Sequence, residues 1–406
     1  MSIAPVFHRD SYARDTAQQL LRPTALQVQV RSGVFLAGIR RIGKTTFLRQ
    51  DLIPALEAMG ALVVYVDLWA DRSKSPAALV HDAVRATLAQ LATPGSALLG
   101  RLKGLNLGAA GLSLGFQLDA VGKPEGATLA QVFTELVDKV RGDVVLIVDE
   151  VQQALGTEEG SQLMFALKAA RDAVNTRPGT PGYLLFLGTG SHKSLVADMA
   201  TLRSQPFAGA VSAPYQPLGE DFVAWKRAQL QQLPDVKLPT QEVMWQGFLA
   251  LGQRPEELHA ALMQLQSRPE DADLAFPIIC ATLAGAAADV ELAPLRTLGA
   301  LAEAIFDRIA QAEEGGASRL FAADALAGYS ARTGMTVEAP QVQNMLERLI
   351  AANLIHRQSH GVYAIADPFV RQAWRQRQAW RQRQAMQMGL SSDAGDGSGT
   401  PASKGH

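Results

Sequence analysis

Between an apolar stretch and a helical one the chain reads Gly38-Ile39-Arg40-Arg41-Ile42-Gly43-Lys44-Thr45, which satisfies G-x-x-x-x-G-K-[ST] without a mismatch. No other segment constrains the fold as tightly. The spacing works when a strand over residues 33–38 runs into a loop that curls on its two glycines and opens a helix near Lys44. Successive backbone N–H groups then face one centre, to which the N-terminal end of the helix adds positive potential. Such a centre takes phosphate. The nucleotide-binding set is Gly38, Ile39, Arg40, Arg41, Ile42, Gly43, Lys44, Thr45 and Thr46. Lys44 reaches the β- and γ-phosphates of ATP, and the Thr45 hydroxyl is the expected Mg²⁺ ligand, because Mg²⁺ takes few protein ligands and fills its shell with phosphate and water.

A loop of this kind needs a parallel sheet around it, and the sequence supplies one. Short apolar runs recur at 33–38, 61–67, 143–149 and 183–188, with a weaker fifth at 210–214. They read as buried parallel strands. The segments 75–91, 127–140 and 161–173 between them carry Leu, Val and Ala at helical spacing, giving the βαβ alternation of a doubly wound α/β fold. The third run ends in Asp149-Glu150, two acids at the carboxyl end of a strand, where ligands of open α/β sheets bind. This is the Walker B pattern. Asp149 is expected at the metal, and Glu150 to orient or deprotonate an attacking water; a solvated turn carboxylate is the alternative for Glu150. The fourth run ends near Thr189, Ser191 and His192, polar groups at the same sheet edge. Thr189 or Ser191 would sense the γ-phosphate, unless the segment is a plain Gly/Ser turn.

The remainder is mostly helical. Residues 104–122 hold five glycines and an alternation of Leu112, Leu114, Phe116 and Leu118, the outline of a small inserted hairpin. Residues 221–230 and 240–266 read as helices, the latter as a lid. From Pro294 the pattern is a helix over 295–312, a short one over 320–331 and a third over 340–354, then strands at 355–358 and 362–366 around Ser359-His360-Gly361. Three helices and a tight hairpin outline a winged helix. Residues 371–388 repeat RQAWRQ, RQAWRQ, RQAMQM, with Arg371, Arg375, Arg377, Arg381 and Arg383 and no acid. After Gly389 the composition predicts disorder.

These pieces in this order resemble the AAA+ ATPases, in particular the archaeal-type group with a C-terminal winged helix, over roughly residues 20–372. Arg40-Arg41 ahead of the Gly-Lys-Thr triplet, Asp149-Glu150 followed by Gln152, the segment 215–218 with Asp221-Phe222, and Gly252-Gln253-Arg254-Pro255 before a helix are the similar features. The resemblance implies an arginine finger, for which the chain offers Arg203, since positions 208–210 hold none. It also implies a lid sensor, for which it offers Arg254. The lid motif departs from the group in having one glycine where a pair is usual.

The expected architecture is a P-loop NTPase core with a parallel sheet, a helical lid and a C-terminal winged helix. Its divisions are an N-terminal segment 1–22, the core 23–235, the lid 236–293, the winged helix 294–370, a basic repeat helix 371–388 and a tail 389–406. The expected cofactors are ATP and Mg²⁺, and the expected activity is ATP hydrolysis that drives or gates a conformational change. A low-turnover nucleotide switch and an ATP-dependent DNA-binding helper remain as alternatives. DNA would be met through the winged helix and residues 371–388, whose arginines and Trp374 and Trp380 suit a backbone and its bases. Against DNA, Glu303 through Asp367 carries five arginines and eight acids, net −3, and phosphate contact dominates such affinity. A protein partner or a homo-oligomer is the other expectation. Cys280 is the sole cysteine, which rules out an internal disulfide and predicts a buried structural thiol. With no apolar leader in residues 1–22 and no run of about 18 apolar residues, the expected location is the cytoplasm, with no membrane contact.

Overall fold

The computed structural model describes residues 5–93, 95–101, 126–155, 157–313 and 316–393. The hairpin expected at 104–122 lies outside them. The chain forms two units. One runs to Pro234 and includes Gln253–Glu256; the other holds Asp235–Gly252 and the chain from Glu257 onward.

The first unit is built on five parallel strands, β1 (Val34–Ala37), β2 (Leu62–Asp67), β3 (Val144–Asp149), β4 (Leu184–Gly190) and β5 (Val211–Pro214), in the spatial order β2-β3-β4-β1-β5. The central strands β3 and β4 are buried along their whole length because helices cover both faces, whereas the edge strand β5 alternates half-buried and exposed positions. Leu62, Val64, Val66, Val144, Leu146, Val148, Leu184 and Phe186 pack in one layer with helices Pro76–Ala92, Leu129–Val140 and Glu158–Asn175. Val63, Val145, Ile147, Leu185 and Leu187 pack in the other with helix Asp10–Leu21 and with residues 44–58. Helix Leu129–Val140 shows how the sequence writes this arrangement. Leu129, Val132, Phe133, Leu136, Val137 and Val140 recur at helical spacing and are all buried, each contributing about 1.5–3 kcal/mol relative to exposure. Thr128 and Gln131 close a capping box at its start, satisfying N–H groups that the helix leaves unpaired. The N-terminal segment also folds: Ala13, Ala17 and Leu20 make the buried stripe of helix Asp10–Leu21, a weak pattern in a polar stretch.

Strand order matters more than strand length here. The chain leaves β1, builds β2 and β3, and returns with β4 to pair directly against β1, Ala37 beside Gly190. β3 then pairs with β4, and β2 with β3, placing Asp67 opposite Asp149. The carboxyl ends of β1, β4, β3 and β2 are thereby adjacent.

The expected helix 240–266 is two, Gln241–Ala250 in the second unit and Pro255–Leu265, whose first two residues belong to the first unit. Gly252 at φ 68 and Pro255 at the next helix start impose the break. Helix Ala272–Glu291 packs on the first of these at Gly247, where an added Cβ would fall 2.4 Å from Phe276 Cε1. Cys280 is buried in the same place, and burial pushes its thiol up to about 12, so it is a packing residue. Among the described residues this helix alone has the length and apolarity to cross a membrane; its Phe276, Ile279 and Cys280 are buried in the protein. The helix expected over 295–312 is also divided, into Ala293–Leu298 and Ala300–Gln311, at Gly299 with φ 89, a conformation closed to most side chains.

Helices Ala300–Gln311, Ala323–Thr333 and Ala339–Ala351 and the antiparallel pair β6 (Ile355–Ser359) and β7 (Val362–Ile365) enclose one core that includes Ile305, Phe306, Tyr329, Leu346, Ile355 and Tyr363. Ala317 bridges to Tyr363 and adds a third stub to the hairpin, completing a winged helix. Helix Pro368–Asp393 follows. The repeat is therefore the middle of a longer helix, and the disorder expected from 389 is corrected for 389–393, since one glycine costs a helix only about 1 kcal/mol. Residues 394–406 lie outside the described chain.

Candidate functional site

The loop after β1 is shaped by three backbone facts. Gly38 N–H donates to the Gly190 carbonyl at 3.1 Å, tying the loop's first residue to β4. A Cβ on Gly38 would stand 3.0 Å from Tyr215 Cβ, so only glycine fits without displacement. Arg41 and Gly43 take φ of 64 and 89, the alternation that makes a concave nest of N–H groups. Lys44 opens the helix that follows and is buried. Its Nζ donates to the carbonyls of Gly38 and Ile39, each at 2.7 Å. Burial lowers its pKa, opposed by the charges of Glu150 and Asp149 and assisted by Arg40. The cation is thus held inside the loop, with two acids facing it.

Asp149 is the hub. It is fully buried at the end of β3, and Oδ2 accepts from the Thr45 hydroxyl at 2.7 Å and the Tyr65 hydroxyl at 3.1 Å. Oδ1 accepts from the Thr189 hydroxyl, and from Glu150 N–H at 3.1 Å. Residues from β2, β4 and the helix after the loop therefore converge on one carboxylate. Glu150 sits in the left-handed region at φ 55, which turns it out of the strand direction. Its Oε2 accepts from the Gln152 amide, and from the Ser191 hydroxyl at 3.1 Å. Arg40 Nε donates to Ser191 at 3.3 Å, and its guanidinium lies 5.2 Å from the Trp69 ring centre. Phosphate loop, strand acid and β4 terminus are thereby linked.

Thr189 and Ser191 thus both reach the acid pair, one touching each acid. His192 instead caps helix Lys193–Thr201, its Nδ1 accepting from Leu195 N–H at 3.5 Å. Ile42 is buried and Thr46 exposed. Arg203 is exposed in the turn after helix Lys193–Thr201, apart from this cluster's hydrogen bonds. Arg254 is fully buried, in a segment fixed by Gln253 Nε2 donating to the Leu218 carbonyl at 2.7 Å.

Sequence reasoning read β2 as a strand but missed what its end contributes to the site. Tyr65 bonds Asp149, and Asp67, opposite Asp149, accepts from Trp69 N–H at 2.8 Å. Burial raises the Asp67 pKa, opposed by that hydrogen bond and reinforced by Asp149 and Glu150. The available signal was the pair Tyr65 and Asp67, polar groups two apart at the end of an otherwise apolar strand.

The Arg371–Gln378 part of the repeat is spent within the second unit. Arg371 and Arg375 donate to the carbonyls of Ala310 and Ala312, closing the C-terminal end of helix Ala300–Gln311, where cations are favoured. Arg377 pairs with Asp289 at 2.8 Å. Trp374 is buried, edge-on to Phe306, and donates to Asp307 at 2.8 Å. Trp380 is 60% exposed.

No protein-family model matches the sequence, and no curated protein is significantly similar to it. Solved structures match nearly end to end, among them two of one protein. The ORC2 protein of Aeropyrum pernix in its ADPNP–ADP complexes is 16% identical, with 92% of this chain and 95% of that one covered and a TM-score of 0.50. The ADP form of that protein is 14% identical, with 90% and 91% covered and a TM-score of 0.52. At these identities the likeness shows the fold.

Proposed function

We propose that this chain, whose fold is the AAA+ architecture of P-loop core, helical lid and winged helix, binds ATP with Mg²⁺ and hydrolyses it to drive or gate a conformational change. The observation that carries the reading is the 2.7 Å bond between the Thr45 hydroxyl and Asp149. It joins the two residues that a metal–nucleotide site of this kind requires to be neighbours. Hard oxygen donors on a buried carboxylate and an adjacent hydroxyl suit Mg²⁺, so Thr45 and Asp149 would hold it, and when bound it neutralises charge on the phosphates. Lys44 moves from the loop carbonyls to the phosphates. The loop, residues 38–46, supplies N–H donors along them. Glu150 orients the attacking water and accepts its proton, while Gln152 and Ser191 fix the carboxylate that does so. Thr189 and Ser191 register the γ-phosphate from the end of β4, with Arg203 and Arg254 as the arginine candidates. We take the core as 23–235, the lid as 236–293 and the winged helix as 294–370.

A low-turnover switch is the second reading, favoured by one feature: Glu150 Oε2 already accepts two hydrogen bonds, which occupy one of the two oxygens that an attacking water would use. DNA contact, if made, falls to Arg381, Arg383, Trp380 and the outer side of helix Ala339–Ala351, because Arg371, Arg375 and Arg377 are engaged internally. A protein partner or a second copy is the other use of the same unit. Steady-state phosphate release with and without duplex DNA separates the readings. Turnover above background supports the ATPase, DNA stimulation supports the helper, and tight nucleotide binding with no release supports the switch.

A further inference from the structure

We propose that Tyr65 is a positioning residue for the metal ligand Asp149, clamped for that task by Arg49; the inference rests on the nucleotide–Mg²⁺ reading above. Parity within the strands sets the geometry. Tyr65 and Asp67 of β2, like Ile147 and Asp149 of β3, have their side chains on the sheet face that carries the phosphate-loop helix, because alternate residues share a face. The register places Tyr65 beside Ile147, one same-face position before Asp149, and the long phenol spans that step to reach Oδ2 at 3.1 Å.

The same oxygen accepts from Thr45 at 2.7 Å. Once Thr45 turns to the metal, Tyr65 remains as the hydroxyl donor on Oδ2, while Thr189 and the Glu150 N–H stay on Oδ1. Orientation of the carboxylate is then kept by groups that never leave it. Arg49 lies four residues beyond Thr45, and its guanidinium sits 5.2 Å from the Tyr65 ring centre, a cation–π contact. One helix thus presents both a metal ligand and the clamp on the residue that steadies the other ligand.

The test titrates a fluorescent ATP analogue into full-length wild type and Tyr65→Phe across Mg²⁺ concentrations and in EDTA. Loss of an outer partner of a metal ligand costs about 10–100-fold in metal affinity. The Mg²⁺ concentration for half-maximal binding should therefore rise about tenfold in Tyr65→Phe, with affinity in EDTA unchanged. Arg49→Gln, which leaves the hydroxyl in place, should shift the Mg²⁺ midpoint in the same direction by less, and it decides the matter should Tyr65→Phe fail to fold. In an Asp149→Asn background, adding Tyr65→Phe should change the midpoint no further. Wild-type binding that ignores Mg²⁺ overturns the metal–nucleotide reading itself. Wild-type binding that depends on Mg²⁺, with the same midpoint in the folded variants, overturns the role of Tyr65 alone.

Discussion

The phosphate loop and the arginine repeat are the two most conspicuous motifs in this chain, and the structure treats them in opposite ways. Around the loop it gathers Tyr65, Asp149, Glu150, Thr189 and Ser191 from three strands onto a cluster that includes Thr45 and Arg40. Along the repeat it divides near-identical hexads. Trp374 is 7% exposed and bonded to Asp307, whereas Trp380 is 60% exposed. The difference is one of constraint. G-x-x-x-x-G-K-[ST] specifies backbone conformations that few folds other than a strand–loop–helix can hold. A run of arginine and glutamine specifies only helix and charge, and the neighbouring helix end decides what the charge is used for.

The largest expected effect breaks the site side of this contrast. Glu150→Gln keeps the shape of the side chain and removes its basicity, so ATP binding should survive while phosphate release falls about 100-fold or more. Equal turnover in wild type and variant would favour the switch reading. On the repeat side, Trp374→Ala should destabilise the second unit by about 3–5 kcal/mol, and Trp380→Ala by less than about 0.5 kcal/mol; thermal melts that rank the two equally would remove the distinction between the hexads. The smallest effect concerns DNA. Truncation after Gln378 removes Arg381 and Arg383, and if these contact duplex DNA the slope of log affinity against log salt should flatten by up to about two units, at roughly 0.9 per neutralised phosphate. An unchanged slope would assign the exposed end of the helix to solvent or to a protein partner.

Much of the core was legible because burial on both sheet faces leaves a one-dimensional trace. Valine-rich runs at β2 and β3 and the terminal Asp149-Glu150 could be read without any knowledge of neighbours. Strand order could not be read that way. It alone brings Thr189 to Asp149 and Ser191 to Glu150, and it places Tyr65 within reach of a carboxylate 84 residues away. Helix breaks at Gly252 and Gly299 were read over because apolar spacing continues across each; the turns are made by the positive φ of the two glycines, joined at the first by Gln253 at φ 54 and by Pro255 at the next helix start. The internal use of Arg371 and Arg375 was hidden for a similar reason: the carbonyls of Ala310 and Ala312, which take them up, leave no trace in side-chain sequence.

The account stands or falls on whether the loop at 38–46 is a phosphate site anchored by Lys44, whose Nζ now rests on the carbonyls of Gly38 and Ile39. Equilibrium binding of a fluorescent ATP analogue to wild type and Lys44→Ala in saturating Mg²⁺ tests this most directly. Loss of a cationic anchor on the phosphates should weaken binding by more than about tenfold. Near-equal affinity in the two proteins, with both folded, would contradict it.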